Sequence, residues 1–196
     1  MTGLRRAALV GAILAAMATP TAAGQKQEGK LERPFAPGRH LWMDLSSGNY
    51  RVRQGSDDKV VVRWESLDPD SGPMKVTLDA RGSDTSIVTH ADSGEFRVTV
   101  EVPARTDLTV RLSAGDIRVE GIAGNKDVNS WAGKVEIEVK NPNEYRSVEA
   151  SVTAGDLDAS AFDVKKGGLF RSFSWKGPGA YTLVVRLTAG DLRLIR

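Results

Sequence analysis

Residues able to do chemistry are sparse in this 196-residue sequence, and the most regularly placed of them are acids that follow a glycine. Asp116, Asp156 and Asp191 stand in Ala-Gly-Asp triplets, and Gly48-Asn49 and Gly133-Lys134 repeat the arrangement with a different polar residue. Carboxylates brought about 4.8 Å apart on stacked strands can chelate calcium, a hard ion that seeks oxygen. Asp116 and Asp156 would line one edge in that way. The pair between them carries Lys134, however, so the ladder reads Asp, Lys, Asp, and opposite charges on neighbouring strands stabilise each other modestly. Calcium-binding repeats are also denser in glycine and aspartate than this. We therefore read Gly48, Asn49, Gly115, Asp116, Gly133, Lys134, Gly155, Asp156, Gly190 and Asp191 as structural corners, and expect neither a metal nor a cofactor.

The absence of cysteine removes thiol catalysis, thiolate metal sites and disulfides together. His40 and His90 are the only histidines. Neither has a second histidine or a carboxylate at metal-ligand spacing, so both read as surface residues at strand ends. No G-x-S-x-G elbow, P-loop or H-E-x-x-H motif occurs. The remaining catalytic option is polysaccharide cleavage by carboxylates converging on the flank of a solenoid, but such enzymes lay substrate along many coils, and this chain has room for few. The expectation is a protein that is not an enzyme. Aromatic side chains offer a different chemistry, the binding of a partner or a sugar. Trp64 shares parity with Val60 and Val62, and Trp175 with Phe173, which assigns both to the core. Trp42 alternates against Leu41, Met43 and Leu45, and Trp131 lies two residues before a corner glycine. Trp42 and Trp131 are the binding candidates, with Phe35 near enough to cover Trp42.

The elements that must position these residues are strands. From "LWMDL" at 41 through "KVVVRW", "FRVTVEV", "DLTVRL", "KVEIEV" and "SVEASV" to "YTLVVRL" at 181, apolar residues alternate with period two. Turn clusters such as "DPDSGP", "NPNE" and "KGPG" separate them, and no helical period is sustained. The fold class is all-β.

The glycine pairs interrupt this alternation in one consistent way. Leu112 and Ala114 give way to Ile117 and Val119 across Gly115-Asp116, so the apolar parity switches from even to odd, and the other four pairs behave alike. A one-residue slip would turn the apolar set toward water. Each pair must therefore re-aim the strand while keeping its apolar residues inside, a role that suits glycine followed by Asp or Asn. Two architectures satisfy this. One is a β-solenoid, or β-helix-like stack of short strands with Gly-Asp corners; the other is an antiparallel β-sandwich with Gly-Asp hairpins. Gly115, Gly133 and Gly155 are spaced by 18 and 22 residues, and the 35 residues from Gly155 to Gly190 leave room for one degenerate coil. Periods near 20 favour the solenoid.

Residues 1–24 have two arginines, an apolar run from Ala7 to Ala18 and then small residues, the layout of a secretory signal peptide. That run is shorter than the ~20 residues of a membrane-spanning helix, and no later segment is long and apolar enough to serve as one. Residues 25–38 are polar and proline-containing, as in a linker, and 39–196 read as a single domain, with N-terminal strands over 39–103 and repeat coils over 104–196. The whole chain has 27 Lys+Arg against 25 Asp+Glu, and loss of a leader containing two arginines and no acid would leave a balance of zero. Nucleic acid is therefore not an expected partner.

The segments "VEVPARTDLTVRLSAGDIRVEGIAG", "SWAGKVEIEV", "SVTAGDLDAS" and "RLTAGDLRL", with "DLSSGNYRV" earlier, resemble the bacterial putative-adhesin family of β-solenoid domains, a family of unassigned function. The resemblance covers about 97–196 and implies an exported, non-enzymatic module of the periplasm or cell surface. It supplies no catalytic or binding residues to transfer. Together these readings lead to an adhesin-like module with a structural or adhesive role at the cell envelope. The alternatives are a small carbohydrate- or peptide-binding domain and, behind it, the polysaccharide-cleaving enzyme. The partner expected is an envelope glycan or protein. Because the sequence stops just after "LTAGDLRLIR", self-association through an uncapped solenoid end is a further expectation.

Overall fold

The computed structural model of the chain describes residues 27–81, 84–166 and 169–196. The leader expected over residues 1–24 lies outside the described residues. Among those described, fourteen strands and two short 3-10 turns account for all regular structure. The strands form one mixed sheet.

Its centre is a run of parallel neighbours. Strand β8 (Asp107–Glu120) pairs along its first half with β2 (His40–Leu45) and along its second with β3 (Gly48–Gln54). On its other side lies β9 (Lys126–Glu138), which pairs in turn with β14 (Tyr181–Ile195). The far side of β14 holds β10 (Tyr145–Ala154) and β11 (Leu157–Ala159). All these pairings are parallel. Only residues 121–125 join β8 to β9, yet Lys126 pairs with Leu108 near the start of β8. Five linking residues reach at most about 20 Å, whereas a straight fourteen-residue strand would extend about 45 Å. β8 must double back on itself, and Gly115-Asp116 is where the apolar parity switches.

Leu108, Val110 and Leu112 before the switch and Ile117 and Val119 after it are all buried in one core. The corner glycines form a single column across the sheet. Gly48 pairs with Gly115, a Cβ on Gly133 would sit 2.0 Å from the Gly115 carbonyl oxygen, Gly190 pairs with Gly133, and a Cβ on Gly155 would sit 1.9 Å from the Gly190 oxygen. Gly133 also has a φ of 116°, in the region L side chains rarely adopt. Backbones approach so closely here that no side chain fits between them. None of the Gly-Asp pairs at 115, 155 or 190 is a hairpin loop, because each lies within or between parallel strands.

The column also corrects the order of stacking. Gly190 lies between Gly133 and Gly155, so the last strand of the chain is inserted between β9 and β10 rather than following Gly155 after a degenerate coil. The intervening segment supplies β12 (Val164–Lys166) and β13 (Leu169–Lys176), antiparallel covers on β11 and β10. β14 is thus hydrogen-bonded on both sides, and the premise that "LTAGDLRLIR" ends the stack does not hold. At the other end β4 (Lys59–Ser66) and β7 (Phe96–Val102) extend the sheet beside β3, and β5 (Met74–Arg81) and β6 (Asp84–Ala91) extend it beside β2.

The stretch expected to be a linker is likewise part of the fold. Glu28–Pro34 forms β1, antiparallel to β4, and Phe35 is fully buried in the core instead of covering Trp42. Its alternating burial is weak because β1 is an edge strand with one covered face. Among the described residues, Lys126 is the most enclosed of the buried charged side chains. Lys126 is 2% exposed, and its Nζ donates to the Gly124 carbonyl at 3.1 Å and to the Tyr145 hydroxyl at 2.9 Å. Burial pushes its pKa down to about 8 and pushes that of Tyr145 up.

Candidate functional site

Because each central strand bends at the glycine column, the molecule presents two outward surfaces, one from residues before the corners and one from residues after them. The second is a lattice of compensated charge. Glu101 accepts from Arg53 and Arg63, with the shorter contacts at 2.6 and 2.5 Å. Glu120 is held by Arg51 and Arg118, and Glu136 by Arg118 and Lys134. Arg63 holds the Glu101 carboxyl below the usual carboxylate range, and Arg51 does the same for Glu120. Such acids stay ionised and are poorly suited to donating a proton near neutral pH.

Along the corner edge the polar residues run Asn49, Asp116, Lys134, Asp191, with Asp156 beyond. Lys134 is flanked by Asp116 and Asp191, and its backbone N–H donates to Asp116 Oδ1 at 3.1 Å. The Asp-Lys-Asp alternation therefore exists with Asp191 in the place expected for Asp156. The side chain works as a turn cap in this contact. Among the described residues no group of three or more His, Cys, Asp or Glu is placed to hold a metal ion.

The first surface differs. Trp131 projects from β9 with 69% of its area exposed. It stands in a shallow groove with Asp44, Arg111, Ser113, Asn129, Arg186 and Thr188. Trp42, half-buried on β2, lies under the guanidinium of Arg111, whose Cζ is 4.7 Å from the ring centroid. The register relates these three residues. Trp42 pairs with Thr109, two positions before Arg111; Arg111 pairs with Asn129, two positions before Trp131. Each step moves one strand across and two residues along, so Trp42, Arg111 and Trp131 fall on one diagonal, with the two indoles roughly 16 Å apart at standard strand spacings. The row through Arg111 reads Asp44, Arg111, Asn129, Arg186 over four consecutive strands.

Trp64 and Trp175 pack against the core while remaining partly exposed, Trp64 over Gly29 and Trp175 beside Phe162 at 5.1 Å. His40 Nε2 is 2.9 Å from the Thr109 hydroxyl, and His90, well exposed, meets Asp92 at 3.2 Å. Sequence reasoning selected the two outward indoles but not Arg111, Asn129 or Arg186. Their outward parity was readable in "DLTVRL", "KDVNSWAG" and "YTLVVRL"; their coming together depends on pairings between segments that follow no simple period, with Asp44 and Arg186 far apart in the chain yet in one row, and above all on the insertion of β14.

No family model matches the chain, and no curated protein does. Solved structures do. A protein from Clostridium sporogenes described as a putative cell adhesion protein superposes with a TM-score of 0.52 at 12% identity, covering 86% of this chain and 99% of that one. This chain shares its fold. A putative adhesin from Parabacteroides distasonis covers 59% of this chain and 54% of its own at 12% identity, with a TM-score of 0.24. A putative adhesin from Bacteroides fragilis covers 88% and 99% at 9% identity, with a TM-score of 0.26. The fold shared with the Clostridium sporogenes protein is in keeping with the adhesin-family resemblance seen in the sequence.

Proposed function

We propose that the chain is an exported, non-catalytic, adhesin-like β-solenoid module with a structural or adhesive role at the bacterial cell envelope. The observation that carries this is the glycine column. Five corners in register, with backbones too close for any side chain, make a stiff scaffold whose outward faces are free to vary. The shared fold with a protein described as a putative cell adhesion protein supports the same direction, and the leader-like residues 1–24 support export. The non-catalytic part rests on chemistry, since Glu101 and Glu120 are held ionised by arginines and the shifted Lys126 is enclosed. Expression of the full chain in a bacterial host, followed by fractionation and adhesion of purified protein to envelope glycans and whole cells, tests it. Retention in the cytoplasm or absence of any surface binding would count against it.

A second reading has its own observation. The exposed indole of Trp131 and the arginine poised on Trp42 favour a small glycan-binding domain, with the scaffold serving as its platform.

A further inference from the structure

We infer that the groove around Trp131 binds an acidic oligosaccharide, with Arg111 meeting a sugar carboxylate and Trp131 stacking on a pyranose ring; this rests on the glycan-binding reading above. The arginines of the two surfaces differ in their partners. On the surface beyond the corners Arg51, Arg53, Arg63, Arg97 and Arg118 each contact a glutamate. Arg111 has no such carboxylate contact among the described residues. Its planar head is instead held over the Trp42 ring, with its N–H edge left for a ligand. A guanidinium so placed matches a carboxylate through two parallel hydrogen bonds.

The rest of the groove fits sugar chemistry better than peptide chemistry. A pyranose has one flat C–H face, which an indole covers, and a rim of hydroxyls, which need both donors and acceptors. Trp131 supplies the flat surface. Asn129 donates to Asp127 Oδ1 at 2.9 Å, which fixes the orientation of its amide. Arg186 is paired with Asp127 at 3.3 Å and keeps donors for a sugar hydroxyl, and Asp44 provides an acceptor. Of the two arginines in the groove, Arg111 is the one without a carboxylate contact among the described residues. The groove is open and crosses the strands from Asp44 and Arg111 past Trp131 to Arg186 and Thr188, the shape of a site that grips an internal stretch of a chain.

The test is binding of the full chain to an oligogalacturonate, to its methyl ester and to poly-glutamate, followed by calorimetry and tryptophan fluorescence. The inference expects saturable binding of oligogalacturonate with a change in indole emission, a loss of at least tenfold in Trp131→Ala and in Arg111→Gln, and no change in Arg51→Gln on the other surface. Thermal melts of each variant check folding, and Arg111→Lys, which keeps charge but not the planar fork, is expected to recover only part of the affinity. Equal binding of acid and ester would overturn the acidic specificity while leaving glycan binding in place. Binding of poly-glutamate alone would overturn both in favour of a peptide. No binding to any probe, or full affinity in Trp131→Ala, would overturn the site.

Discussion

The guanidinium of Arg111 rests 4.7 Å above the ring of Trp42, on the neighbouring strand and two residues along it. This contact turns a mobile surface arginine into an oriented one. At a partly exposed site a cation–π contact is worth roughly 0.5–1 kcal/mol, so Trp42→Leu should lower affinity for an acidic sugar about two- to fivefold. Trp42→Phe, which keeps a ring under the arginine, should lose less. The measurement is a titration of each variant alongside Arg111→Gln, in whose background Trp42→Leu should add little further loss.

The glycine column makes a prediction about stability. A Cβ at Gly133 would press on the Gly115 oxygen at 2.0 Å, whereas one at Gly38, also at positive φ, would meet nothing within 4 Å. Gly38→Ala isolates the backbone cost, about 1–2 kcal/mol. Gly133→Ala adds the separation of two strands and should cost at least about 3 kcal/mol or prevent folding. Urea unfolding of the two variants, with circular dichroism as the readout, compares them directly.

Lys126 makes a prediction about pH. Burial lowers its pKa from 10.5 to about 8, a difference of roughly 3 kcal/mol. Between those values the unfolded chain binds the proton more readily than the fold does, so folding stability should rise as pH increases from about 8. The rise should end near pH 10, because Tyr145 is held neutral by burial and its ionisation then favours the unfolded chain. Lys126→Met should abolish the rise. Denaturation midpoints at pH 7.5, 8.5 and 9.5 provide the check.

Glu101 makes a prediction of the same sign in the acid range. Its carboxyl is depressed chiefly by the hydrogen bond from Arg63. Stability from this group is therefore present above the ordinary glutamate pKa and is lost as pH falls through the lower folded value. Glu101→Gln should flatten that part of the stability profile below pH 5, measured by the same midpoints in acid.

Much of this fold could be read from alternation alone. The switch from Leu112 and Ala114 to Ile117 and Val119 required a bend, and the structure has one whose two arms share a core. Trp42 and Trp131 were legible as outward residues because parity reports which face a residue takes. Parity does not report which strand lies alongside. The 35-residue interval before Gly190 fits a further coil as well as it fits an antiparallel detour followed by insertion of β14, and the two differ only in long-range pairing. β1 escaped notice because Leu31 is the one large apolar residue on its covered face, and Phe35 because a single apolar residue carries no period. The diagonal through Arg111 was hidden for the same reason, since it exists only once β2, β8 and β9 are in register.

The site and the scaffold both depend on β14 lying between β9 and β10, because β14 brings Arg186 and Thr188 into the groove. The chain has no cysteine, so pairs introduced by mutation can report this placement by oxidative cross-linking. Val184 pairs with Asp127 on one side and with Glu149 on the other. Neighbouring strands at about 4.8 Å approach within the range of a disulfide, and strands twice as far apart do not. Cross-linking is predicted for Asp127→Cys with Val184→Cys and for Glu149→Cys with Val184→Cys, and not for Asp127→Cys with Glu149→Cys. Efficient closure of the 127–149 pair, with none at 127–184, would contradict the inserted strand and the groove built on it.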